Sequence, residues 1–156
     1  MKAKLDRNEE KKTELIVECK DLINGDTFPL KYTHKGQDIS PEIKLSNLNP
    51  KAKTITIIFE DMDKPITHWI IWNLPVMAII PENISKHISS FTELGTKQKR
   101  PYIGPNPPKD IRHKYQFNVY ILDCVLNMDA DVNKRIILKA MSGHILQEGY
   151  VFGFYY

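Results

Sequence analysis

The chain has 156 residues, of which 42% are hydrophobic and 26% charged, and its formal net charge is +3 at pH 7. That length fits a single domain that can bury a hydrophobic core without crosslinks. So mild a charge argues against a nucleic-acid-binding protein, which usually carries a clustered basic face. The charged start (MKAKLDRNEEKK) lacks the apolar stretch of a signal peptide, and no apolar run reaches the length of a transmembrane helix. The sequence therefore predicts a cytoplasmic protein with no nucleic-acid partner and no transmembrane segment.

Most of the chain has the pattern of short strands. Residues 1–13 are charged and aperiodic, which predicts a frayed extension before a single domain at residues 14–156. β-branched and aromatic residues bounded by Gly, Pro and Asn predict strands in six segments. A seventh, short strand is possible at residues 28–32. The six segments are residues 14–20, 43–45, 54–59, 68–74, 115–122 and 150–156. Many strands joined by irregular connections predict a mainly β sandwich with a few peripheral helices.

One helix is predicted near the C-terminus. Apolar residues recur every four positions from Ile137 to Ile145, which predicts a helix over residues 133–147. Asn133 is placed to cap its start and Gly149 to stop it.

The other connections differ in character. A short helix is predicted after Pro81, within residues 76–91. Residues 93–112 contain two glycines and four prolines, which predict one long ordered loop, and such loops are usually functional. Cys19 and Cys124 have no CxxC spacing and no cluster of His or Cys around them, so two free thiols are expected.

Polar residues gather at the connection between the two clearest strands. Asp61 and Asp63 continue the alternation of strand 54–59, and only four residues separate Asp63 from His68. His68 shares its parity with Ile70, Trp72 and Leu74, so the alternation predicts that these side chains face the same way. If the two strands pair, both aspartates and the histidine lie at one end of the sheet.

A second stretch repeats this arrangement. His113 and Tyr115 lead into the core-facing register of strand 115–122, and the loop before them offers backbone amides around Gly104, Asn106 and Pro107. Two imidazoles near neutral pH can provide N–H donors or positive charge to a phosphate or carboxylate. Asp61, Asp63, His68, Gly104, Asn106, Pro107, His113 and Tyr115 are therefore predicted to bind a small anion.

The same residues have other interpretations. The two aspartates also fit a hairpin turn, and each histidine taken alone also fits a structural or solvated role. Carboxylates with imidazoles suit several divalent ions, but no HExxH or equivalent spacing is present, so no metal, cofactor or catalytic residue is assigned. His34, His87 and His144 have no acidic or histidine neighbours at a useful spacing and receive no role.

Two blocks of sequence resemble a known family. Asp-Met-Asp-Lys-Pro at residues 61–65, followed by HWIIWNLP at residues 68–75, resembles the first signature block of the phosphatidylethanolamine-binding protein family. YIGPNPP at residues 102–108, followed by HKYQF at residues 113–117, resembles its second block. The short connection at residues 64–67 is similar to that of the Raf kinase inhibitor-like proteins of bacteria and archaea.

The resemblance implies a fold and a function. It implies a β-sandwich of the Greek-key type with a pocket for phosphate-like anions, formed by the residues that the alternation brings together. Modulation of a kinase or another partner protein is left open as a further role, and the lipid binding and kinase control of the animal proteins are not carried over. A binding protein is favoured over an enzyme. The alternatives left open are a hydrolase or metal-assisted enzyme using the same Asp and His residues, and a protease or kinase inhibitor acting by surface contacts. A homodimer is also left open.

Overall fold

The computed structural model describes residues 14–156, so the frayed extension expected at residues 1–13 lies outside the described residues. Most of the regular secondary structure lies in two antiparallel sheets. The strands are β1 (Ile16–Cys19), β2 (Ile43–Ser46), β3 (Thr54–Asp61), β4 (Ile66–Pro75), β5 (Ile79–Ile80), β6 (Lys97–Gln98), β7 (His113–Leu122) and β8 (Ile145–Tyr155). The larger sheet has the order β6-β4-β3-β7-β8 and the smaller one β1-β2-β5. The mainly β sandwich predicted from the sequence is confirmed.

The larger sheet is covered on both faces. One cluster of buried side chains lies between the sheets, where Phe59 and Phe117 of the larger sheet share a core with Leu45 of the smaller one. A second cluster covers the opposite face, where Ile58 of β3 packs with Ile137 of the only α-helix in the described residues. Every residue of β3 is buried for this reason, which explains why its sequence is almost continuously apolar.

The helix is shorter than predicted. Helix α1 spans Lys134–Met141, and Asn133 caps it by accepting a hydrogen bond from Ile136 N–H at 2.9 Å. Gly143 follows with a φ of 83°, a conformation that glycine adopts without strain, and the chain then enters β8. Gly149 does not stop the helix; it pairs with Val119 within β8. Pairing with β7 therefore overrides the helical spacing beyond Met141.

Several other connections differ from expectation. Residues 28–32 are not a strand, because a short 3₁₀ helix at Leu30–Tyr32 follows Pro29. The helix expected after Pro81 is also a 3₁₀ helix, at Ile84–Ser90. The long loop is interrupted by β6, which pairs with β4 at the edge of the larger sheet. Cys19 and Cys124 are both free. No helix within residues 14–156 is long and apolar enough to cross a membrane.

Candidate functional site

Asp61 is the last residue of β3, and its carboxylate accepts hydrogen bonds both from the turn that follows and from the neighbouring strand β7. One oxygen, Oδ1, accepts hydrogen bonds from Asp63 N–H at 2.9 Å and Lys64 N–H at 3.0 Å. The other, Oδ2, accepts a hydrogen bond from His113 Nδ1 at 2.6 Å. β3 and β7 pair directly up to Asp61 opposite Tyr115, which brings Asp61 and His113 together. One carboxylate thus both accepts from the turn, as a hairpin aspartate does, and holds the His113 imidazole.

The environment of Asp61 keeps it ionised. Burial raises the pKa of its carboxyl, but hydrogen bonds from Lys64 N–H, from the His113 imidazole and from Asp63 N–H outweigh burial and lower the pKa below the usual 3.8. The side chains of Asp61 and His113 are only 5% and 7% exposed. A buried carboxylate with all these donors fixes both the orientation and the tautomer of the imidazole.

His68 reaches the site through an irregularity that alternation did not predict. Phe59 pairs with Trp69, but Glu60 pairs with Thr67, so His68 lies in a bulge between them. Its ring packs edge-on against Phe59 at 5.7 Å and Tyr115 at 5.5 Å between centroids. A β-bulge redirects a side chain in this way.

The predicted common face of β4 is therefore wrong in part. Ile70 and Trp72 face the helix side of the sheet, in the second cluster. Leu74 returns to the core between the sheets after a second irregularity near Ile57. His68 is close to the predicted site, as expected, but for a different physical reason.

Tyr115 lies against both imidazoles and beside Asp61. Its hydroxyl is within hydrogen-bonding reach of the Asp61 carboxylate and of Asn106 N–H, and burial followed by the charge of Asp61 raises its pKa. The phenol is consequently neutral and can donate a proton to a hydrogen bond. Its ring lies 6.3 Å from that of His113.

The loop that carries Gly104, Asn106 and Pro107 borders the site, since the carbonyl of Ile103 in this loop is hydrogen-bonded to His68. Gly104 N–H donates to Asp38 Oδ1 at 2.6 Å, so this amide is already engaged rather than free for a ligand. A Cβ at Gly104 would lie 2.1 Å from Tyr32 O, which requires glycine here. Pro107 is buried and Asn106 is exposed.

Asp63 has a different role from Asp61. Its side chain accepts a hydrogen bond from Lys114 N–H at 2.5 Å, while Met62 N–H donates to Lys114 O at 2.7 Å. Asp63 is exposed, and these contacts fasten the turn after β3 to the start of β7. The site therefore gathers Asp61, His68, His113 and Tyr115 closely, with Asp63 and the loop as their supports.

Sequence reasoning missed the anchors of the loop. Asp38 holds Gly104 from a distance of 66 residues along the chain, and Tyr102 holds the same region by donating to Tyr32 O at 2.8 Å. His68 Nδ1 is hydrogen-bonded to Ile103 O at 3.0 Å, which joins β4 to this loop. No periodicity marks Asp38, since it lies in an irregular segment.

A metal site at this position is not supported. Among residues 14–156, the only group of three or more His, Cys, Asp or Glu side chains with ligand atoms within 4.8 Å of one another is Asp123, Cys124 and His144. Asp61, Asp63, His68 and His113 form no such group, because Asp63 and His68 are directed to backbone partners instead.

Fold and site together define a β-sandwich with a buried Asp–His pair and a second imidazole at one end of its larger sheet. Residues 19–156 match the profile of a family described as phosphatidylethanolamine-binding protein. The chain belongs to the phosphatidylethanolamine-binding protein family, in its bacterial and archaeal form.

Relatives and solved structures agree with this assignment. A UPF0098 protein of Pyrococcus horikoshii is 38% identical over 148 residues, covering 85% of this chain and 72% of the relative. One from Pyrococcus abyssi is 37% identical and covers 91% and 86%. A crystal structure of a phosphatidylethanolamine-binding protein homologue from Chlamydia trachomatis matches with a TM-score of 0.79 at 30% identity, covering 92% of this chain and 97% of that one. The Escherichia coli protein YbcL, at 18% identity and a TM-score of 0.78, shares the fold.

Proposed function

We propose that the chain binds a small anion, phosphate-like or part of a phosphorylated molecule, between His68 and His113. The observation that carries the proposal is the buried hydrogen bond of 2.6 Å between Asp61 Oδ2 and His113 Nδ1. The burial of such a pair needs an explanation, because removing a carboxylate and an imidazole from water is unfavourable unless their partners are well placed. Positioning an imidazole for a ligand is such a reason.

The hydrogen bonds of the two imidazoles specify how they would bind the anion. His68 Nδ1 faces the carbonyl oxygen of Ile103, and His113 Nδ1 faces a carboxylate oxygen, so both Nδ1 atoms carry a proton. Only Nε2 of each ring is left for a ligand. Nε2 donates to an anion when the ring carries its second proton.

Sulfate is the first probe, because it has the tetrahedral shape and the negative charge of a phosphate group without an organic substituent. Phosphoethanolamine is the second probe, because it contains a phosphomonoester with an attached amine.

The experiment is an NMR titration of the full chain with each probe, following backbone amides and imidazole carbons. We expect shifts at His68, His113 and Tyr115 at millimolar sulfate, because a bound anion changes the surroundings of the side chains that contact it. His68→Gln should weaken the binding by about tenfold or more. His87→Gln is the matched control, since His87 is another exposed histidine, on the 3₁₀ helix Ile84–Ser90, and has no role in the proposed site.

Two outcomes would contradict the proposal. One is the absence of shifts near His68 and His113 at millimolar concentrations of both probes. The other is binding that His68→Gln and His87→Gln weaken equally, which indicates general attraction to surface charge.

Control of a kinase or another partner protein would act through occupancy of this site. On this proposal, His68→Ala weakens any inhibition of a partner. Inhibition by surface contacts alone, of a kinase or a protease, would survive the substitution. An inhibition assay with His68→Ala therefore separates the two roles.

A further inference from the structure

A second cluster of reactive side chains lies at the opposite end of the larger sheet. Leu122, the last residue of β7, pairs with Ile145, the first of β8. Asp123 N–H then donates to His144 O at 3.0 Å, which extends the pairing by one residue. His144 is thereby brought to Asp123, although 21 positions separate the two along the chain, and Cys124 directly follows Asp123.

The donor atoms of these three side chains converge. One imidazole nitrogen of His144, the Sγ atom of Cys124 and one carboxylate oxygen of Asp123 all lie within 4.8 Å of one another. His144 Nδ1 is 2.9 Å from Asp123 Oδ1. A metal ion bonded at about 2.0–2.3 Å to such atoms places them roughly 3.5 Å apart, so small side-chain rotations complete the geometry.

In this cluster the backbone is fixed by a hydrogen bond, while two of the side chains are exposed to solvent. Thr54 Oγ1 donates to Cys124 O at 2.7 Å, which fixes the chain at the thiol. The side chains of His144 and Asp123 are 49% and 42% exposed, so an ion and a water molecule can reach them from solvent. The cluster is also far from the proposed anion site, since the ten residues of β7 span roughly 30 Å.

A thiolate, an imidazole and a carboxylate are the donor types that Zn²⁺ takes in proteins, with water as the fourth ligand in open sites. Burial and the charge of Asp123 raise the pKa of the Cys124 thiol, while Lys53 lowers it. A bound cation would displace the thiol proton to solvent as the metal–sulfur bond forms. The ammonium of Lys53 opposes a cation but favours the thiolate that the cation needs.

We propose that Asp123, Cys124 and His144 form a binding site for a divalent transition metal ion, with Zn²⁺ the ion that fits the donors best. The site fastens the segment after β7 to the start of β8, beside the turn at Gly143. It differs in place and in chemistry from the anion site, so either site can be disproved without the other.

The test uses Co²⁺ as a spectroscopic probe on the full, reduced chain. A thiolate ligand to Co²⁺ produces an intense near-ultraviolet charge-transfer band, and tetrahedral coordination produces strong visible bands. We expect both in the wild-type chain at equimolar Co²⁺, followed by their loss on addition of Zn²⁺. Cys124→Ser should abolish the charge-transfer band, and His144→Gln and Asp123→Asn should each weaken binding more than about tenfold.

Cys19→Ser is the matched control, because Cys19 is the other thiol of the chain and is buried in the core. It should leave the spectrum unchanged. His34→Gln provides a second control. His34 also pairs with an aspartate, Asp38 at 3.6 Å, but neither residue belongs to the group of metal-binding side chains described above.

The proposal is overturned if the wild-type chain shows no charge-transfer band with Co²⁺. It is overturned equally if the band survives Cys124→Ser, or if Cys19→Ser removes it. A circular dichroism spectrum of each variant shows that the fold is retained, so a lost band reports on the ligand.

Discussion

The larger sheet carries an Asp–His pair at each end of β7, and the two pairs differ mainly in burial. At the start of the strand, Asp61 and His113 are 2.6 Å apart with side chains 5% and 7% exposed. Beyond its end, Asp123 and His144 are 2.9 Å apart with side chains 42% and 49% exposed. The chemical groups are the same, and the hydrogen bond uses Nδ1 of the histidine in both.

Burial decides what each pair can do. The Asp61 carboxylate has both of its oxygens engaged by donors of the protein, so it holds His113 in one orientation and is not available to a cation. Water can replace either partner in the exposed pair of Asp123 and His144, so this pair contributes little to the free energy of unfolding. The buried pair is suited to positioning an imidazole, whereas the exposed pair is suited to exchanging its hydrogen bond for a metal ion.

The largest difference should appear when each carboxylate is removed. Asp61→Ala leaves two backbone N–H groups and the buried His113 imidazole without their acceptor, which should lower the free energy of unfolding by about 3–5 kcal/mol. Urea denaturation measures the loss. Asp61→Asn should lose less, because its amide oxygen can still accept from the turn. A loss below about 1 kcal/mol for Asp61→Ala would contradict the buried pair.

A smaller loss in the free energy of unfolding is expected at low pH. The folded-state pKa of Asp61 lies below its ordinary value of 3.8, so the unfolded chain takes up the proton first as the pH falls. The stability that Asp61 contributes is therefore complete above about pH 4 and is lost as the pH falls through the lower folded-state pKa. Urea denaturation of wild type and Asp61→Asn between about pH 2.5 and about pH 5 should show the two curves converging in acid. Parallel curves would contradict a lowered pKa at this position.

Composition and alternation were sufficient for most of the fold. The apolar run of β3 and the alternation of β7 predicted the strands that form the middle of the larger sheet. Asp61 and His113 were predicted to meet because each stands at the end of such a strand. Alternation failed where the strand is irregular: the bulge at His68 reverses the faces of Ile70 and Trp72. Local patterns do not reveal a bulge, because its position depends on the partner strand.

Long-range contacts explain the other errors. Ile145 continues the helical spacing of Ile137 and Met141, yet it pairs with Leu122 in the sheet. No local pattern decides between a helix and a strand at this position. His144 was given no role because its acidic partner, Asp123, is distant along the chain and adjacent only through that pairing. Asp38 was missed for the same reason, since its contact with Gly104 joins two irregular segments.

The smallest effect should come from removing the exposed carboxylate. With a chelator present, Asp123→Ala should change the free energy of unfolding by less than about 1 kcal/mol, because water replaces the carboxylate at His144. With Zn²⁺ present, the wild-type chain should gain stability as the folded state binds the ion, and Asp123→Ala should gain less. Thermal denaturation of both chains, with Cys19→Ser as the control, measures the two conditions. If Asp123→Ala with chelator is as destabilising as Asp61→Ala, burial is not what separates the two pairs. If Zn²⁺ stabilises both chains equally, the exposed pair is a surface ion pair and the carboxylate is not a ligand.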